Sequence, residues 1–180
     1  MSLRRVLVVW GSLLVLTITL GAGAAFATHR WDCWAYGDYL INWYNGASGT
    51  YHYIFEEEAR TDADSWHNYT DIELVPINSP SQYDSINAFN GYYGFNGWLG
   101  LAEIIYYFGC TVTEGRARLN QSYLESGYSR TNKEHVACQE VGHLFGLDHN
   151  HDSSNTCMND TILTAPQPDS HDQELINSIY

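Results

Sequence analysis

The stretch HVACQEVGHLFGLDHN, residues 135–150, decides how this chain is read. Its pattern predicts a helix that starts with Asn132 as N-cap, runs to about Phe145 and stops at Gly146. Residues four apart stack on one helical face, so Gln139 and His143 share a face and Glu140 sits beside it. Gly146 can adopt the left-handed conformation that ends a helix and turns the chain back. His149, six residues after His143, can then approach the same point from a loop. Catalytic zinc takes three protein ligands and keeps one position open for water. His143 and His149 supply two imidazoles, and Gln139 can offer a third contact through its side-chain oxygen. Glu140 beside a metal would serve as general base. His135 is a poor third ligand, because it lies eight residues before His143, about 12 Å along the helix. His151 and Asp152, in the loop after His149, are alternative donors. A single histidine is more commonly a hydrogen-bonded core residue, and a helical glutamate an exposed acid. The joint spacing of His143, Gly146 and His149 favours the metal reading over those two.

With these residues in view, the stretch resembles the zinc signature of the metzincins, H-E-x-x-H-x-x-G-x-x-H, written here as Q-E-x-x-H-x-x-G-x-x-H. Glu140, His143, Gly146 and His149 match; Gln139 stands where the first histidine belongs. Met158, in SNTCMND nine residues after His149, resembles the methionine of the Met-turn in the matrixin-related members. WLGLAEI at 98–104 resembles their substrate-binding edge strand, and DSHDQELINSIY at 169–180 resembles their C-terminal helix. The resemblance implies an α+β domain: a small twisted mixed sheet, an active-site helix, a Met-turn and a C-terminal helix. It implies Zn²⁺ held by Gln139, His143 and His149, with Gly146 and Met158 in structural roles. It implies a secreted endopeptidase that hydrolyses peptide bonds by metal-activated water, with Glu140 as general base. A polypeptide substrate would lie extended along Trp98, Leu99, Gly100, Leu101 and Ala102 as an added strand. A neutral amide oxygen is a weaker zinc donor than imidazole, so Gln139 should lower metal affinity while Glu140 and the open position remain. The rival reading is a catalytically silent binding module with weak or no metal.

The chain has 180 residues, enough for one domain with a core. Arg4 and Arg5 precede a nearly unbroken apolar run at 6–20, and Ala25-Phe26-Ala27 is a small-x-small cleavage signal. Residues 1–27 therefore read as a signal peptide and 28–180 as a single secreted, extracellular domain. An uncleaved anchor is the alternative, since 6–26 could just span a bilayer. Only 22 residues separate Thr28 from the first predicted strand, so no propeptide is evident. Removing residues 1–27 takes the formal charge from −13 to −15. No basic stripe exists to meet phosphates, which argues against nucleic acid and against stable membrane association after cleavage. A monomer is expected.

Four cysteines in an exported chain suggest two disulfides, with three possible pairings. The implied Met-turn beneath the active-site helix would make Cys138 and Cys157 neighbours, leaving Cys33 for Cys110. The family's latency-switch motif is missing. Asn68, Asn120 and Asn159 each begin an N-glycosylation pattern. Elsewhere, strands are predicted at 50–55, 71–77 and 116–119, with an apolar, aromatic run at 98–108 and a short helix at 62–69. Residues 147–168 read as loop. A capping-box pattern at 170–173 starts a last helix on which Leu175, Ile176 and Ile179 share a face. Strands come early and helices late, which predicts class α+β.

Overall fold

The computed structural model of the chain describes residues 29–161 and 163–180. The predicted signal peptide, residues 1–27, lies outside them. The elements, in chain order, are β1 (Ala35–Tyr36), β2 (Leu40–Asn45), α1 (Thr50–Glu56), a π-helical turn (Glu57–Thr61), α2 (Trp66–Tyr69), β3 (Glu73–Pro76), β4 (Ser85–Gly91), β5 (Gly100–Phe108), β6 (Thr111–Asn120), α3 (Gln121–Leu124), α4 (Arg130–Leu144) and α5 (Ser170–Ile179). They make a mixed sheet with helices, consistent with the α+β expectation.

Strands β3, β2, β4 and β6 run parallel in that spatial order, and β1 pairs with the start of β6. β5 returns antiparallel along the other side of β6 and forms the sheet's edge. α4 packs across β5 and β6 and also meets α1. One continuous core lies between these layers, with Trp43, Phe55, Trp66, Ile86, Leu119 and Phe145 completely buried.

Several expectations need correction. Residues 50–55 form helix α1, not a strand. Tyr51, Ile54 and Phe55 are its buried residues, and that i, i+3, i+4 spacing outweighs the strand preference of an aromatic and β-branched segment. The helix expected over 62–69 is confined to Trp66–Tyr69, behind the Ser65 cap. The N-cap of α4 is Ser129, and Asn132 is its capping-box partner at the third helical position. α5 likewise starts one residue early, with Asp169 as cap and Asp172 as partner. β6 extends well beyond the predicted 116–119. β4 escaped notice because Ser85 and Asn87 break its apolar pattern. Both are fully buried, and both reach Ser81: Ser85 Oγ donates to its carbonyl at 2.5 Å and Asn87 Nδ2 at 2.9 Å. Polar groups satisfied in this way can occupy a core strand.

Both implied disulfides form. Cys138 and Cys157 join with Cα atoms 5.9 Å apart, and Cys33 joins Cys110 at 5.5 Å. Two disulfides are compatible with an extracellular protein. Among the described residues no helix is long and apolar enough to cross a membrane. Of the three glycosylation patterns, Asn120 and Asn159 are buried, and their side-chain nitrogens donate to the carbonyls of Gly94 and Ser153. In the folded domain only Asn68 is exposed.

Candidate metal centre

The C-terminal end of α4 builds the centre. Gly146 ends the helix at φ +93°, and a Cβ there would lie 2.4 Å from the Trp34 carbonyl oxygen. Only glycine meets both conditions without strain. The turn carries the chain back so that Leu147 O accepts from His143 Nδ1 at 2.8 Å. His149 arrives opposite, its Nε2 facing the Nε2 of His143 at 3.1 Å. Asp160 Oδ2 lies 3.1 Å from His149 Nδ1. In each ring an oxygen acceptor therefore holds the hydrogen on Nδ1, and the two Nε2 lone pairs converge. Two convergent lone pairs repel each other unless a cation lies between them, and imidazoles fixed by oxygen partners are the usual arrangement around zinc. Burial pushes the pKa of His143 down to about 4, so its ring is neutral and able to ligate at neutral pH.

These rings form one wall of a cleft of about 470 Å³. Gln139 and Glu140 line it from α4, and Trp98, Leu99, Gly100, Leu101 and Ala102 line it from the start of the edge strand. The strand proper begins at Gly100, so Trp98 and Leu99 enter the cleft from the preceding loop. Gln139 is buried, and its amide nitrogen has no hydrogen-bond partner. An unpartnered buried amide lining the same cleft as two convergent imidazoles fits a group bound there. Because an amide's O and N are assigned from hydrogen bonds, the group can present its oxygen to that occupant.

Glu140 packs against β5. A Cβ at Gly100 would lie 2.4 Å from its Oε1, so the absent side chain makes room for the carboxylate. Burial raises the Glu140 pKa to about 8, against the opposing pull of the Ala102 backbone amide. A carboxyl group poised this high can hold a proton near neutral pH.

Met158 is fully buried, with its sulfur packed against Gly142, the residue before His143. Its carbonyl accepts from Asn150 N at 2.8 Å, which ties the segment carrying His149 to the segment carrying Met158. The Cys138–Cys157 bridge fastens that segment to α4. His135 is also fully buried, its Nδ1 2.8 Å from the Ala165 carbonyl; it packs in the core, away from the rings. His151 and Asp152 are exposed and do not line the cleft. His151 instead turns Nδ1 to Asp160 at 3.1 Å.

Two further lining residues meet the histidine rings. Asp160 both lines the cleft and orients His149, and its only signal was its place two residues after Met158. Trp31 also lines the cleft, with its ring centroid 5.7 Å from that of His143. It is held by its backbone N–H to Gly146 O at 2.7 Å. No protein-family profile matches the chain, and no curated protein is significantly similar to it.

Proposed function

We propose that the chain is a secreted, monomeric, zinc-dependent endopeptidase of metzincin-like fold. One observation carries the reading: two Nε2 atoms converge at 3.1 Å in a cleft that also holds Glu140 and is walled by an antiparallel edge strand. A zinc ion held by His143, His149 and the Gln139 oxygen would polarise a scissile carbonyl and acidify a water molecule. A cation at the two rings would draw the buried Glu140 carboxyl back towards its ionised form, in which it would take the proton of the attacking water and return it to the departing amine. The unpaired backbone edge of β5 aligns an extended polypeptide beside that carboxylate. Gly100, lacking a side chain, lets strand and carboxylate approach each other closely.

The test compares zinc content and cleavage of an unstructured protein such as casein by wild type and Glu140→Gln. The variant should keep its zinc and lose roughly 10²–10⁴-fold in rate. If zinc-loaded wild type cleaves nothing, the cleft belongs to a catalytically silent binding module. If His143→Ala retains stoichiometric zinc after dialysis, the ion is held elsewhere.

A further inference from the structure

A second set of donors lies outside the lining of the cleft. His29 comes from the N-terminal segment, and His171 and Asp172 from the first turn of α5. One ligand atom of each lies within 4.8 Å of the other two. The rings of His29 and His171 have centroids 5.0 Å apart.

The polar atoms here are unevenly satisfied. Asp172 is completely buried. Its Oδ2 accepts from the Thr156 hydroxyl and from the Asp169 backbone N–H. Its Oδ1 receives no hydrogen bond and faces His29 Nε2 at 3.1 Å. The His29 side chain is itself only 9% exposed. His29 Nδ1 lies 3.0 Å from the Asp148 carbonyl oxygen. A carbonyl can only accept, so Nδ1 carries the hydrogen, and a neutral ring then aims its Nε2 lone pair at a carboxylate oxygen. That contact is repulsive unless a positive charge lies between the two atoms.

We propose that His29, His171 and Asp172 form a second divalent-metal site of the zinc class, separate from the His143–His149 pair. Two imidazoles and one carboxylate are a donor set that suits zinc and its first-row neighbours. The supporting shell is in place: the Asp148 carbonyl sets the His29 tautomer, while Thr156 and the Asp169 amide orient Asp172. The site ties the N-terminal segment to α5. It also reaches the first centre twice. Asp148 precedes His149, and the Thr156 hydroxyl accepts from Met158 N at 3.0 Å. Occupancy therefore stiffens both the loop carrying His149 and the segment carrying Met158. The competing occupant is a proton, which would make His29 an imidazolium paired with Asp172. Burial disfavours that charge, while Asp172 favours it and raises the pKa on balance.

The site stands apart from the peptidase reading, and its test is built on a His143→Ala/His149→Ala double variant of the full chain. The protein is stripped with chelator, loaded with ZnCl₂ and desalted, and its zinc is measured by elemental analysis. The double variant should hold one ion per chain. Adding His29→Gln or His171→Gln should weaken binding at least about tenfold, while circular dichroism stays native. A double variant that takes up no zinc, or whose zinc survives both further substitutions, overturns the site. In the first case the proton is the occupant. Should the double variant fail to fold, calorimetric Zn²⁺ titration of wild type decides. Two ions, one of them lost on His171→Gln, uphold the site. One ion, lost on His143→Ala and indifferent to His171→Gln, overturns it. One ion with the opposite dependence upholds this site and sinks the His143–His149 centre instead.

Discussion

The sulfur of Met158 lies so close to Gly142 of α4 that a Cβ at Gly142 would sit 2.5 Å from it, with Trp66 at 2.6 Å. Neither neighbour can retreat. Trp66 is fully buried and donates from Nε1 to the Cys138 carbonyl at 2.9 Å. Met158 follows Cys157, which is bonded to Cys138. The glycine lets helix, tryptophan and methionine meet directly, one residue before His143.

Gly142→Ala should therefore destabilise the domain by about 1–3 kcal/mol through overpacking, even though alanine is better than glycine in a helix by about 1 kcal/mol. Denaturant unfolding measures this. An unchanged or raised midpoint would mean that the helix underside is not packed as described.

Gln139→His should bind zinc at least about tenfold more tightly than wild type, because imidazole is the stronger donor for Zn²⁺. Titration of both proteins against a competing chelator reads the difference. Equal affinities would place Gln139 away from the ion. Cleavage by the variant alone would mark Gln139 as a disabling substitution.

Asp160→Asn should lower zinc affinity by about 10–100-fold, the usual effect of losing a carboxylate that orients a ligating histidine. The stability of the metal-free protein should change little, since Asp160 is exposed. A variant with wild-type zinc affinity would reduce the Asp160–His149 pair to a surface contact.

Glu58 links pH to stability. It is buried in the π-helical turn, and burial, with Glu134, Asp62, Glu57 and Asp64 nearby, raises its pKa from 4.5 to about 9. The folded state keeps a proton that the unfolded chain has released, so stability falls as pH rises through that window. Each pH unit inside it costs at most about 1.4 kcal/mol. Glu58→Gln removes this term. The variant should gain on wild type steadily between about pH 5 and pH 8, by a few kcal/mol in total. Parallel unfolding curves across that range would show that Glu58 ionises freely in the folded protein.

The local parts of the site could be read from the chain alone. The turn of helix that aligns Gln139 with His143, the glycine that ends it and the return to His149 depend on spacing within fifteen residues. Backbone geometry at that range leaves few choices. Local reading failed where a tertiary partner changed the meaning of a residue. Ser85 and Asn87 look like loop residues until Ser81 satisfies them inside β4. Tyr51, Ile54 and Phe55 look like a strand until their helical face meets the core. The caps of α4 and α5 shifted because several polar residues near each start could serve, and the one whose carboxylate or hydroxyl reached the free amides was chosen by the approach of the chain. Trp31 against His143 and His29 against Asp172 had no signature at all, and Asp160 had only its place near Met158. The first two pairs join segments far apart in sequence, where no period relates one residue to the other, and only the packed core fixes the few ångströms that make them partners.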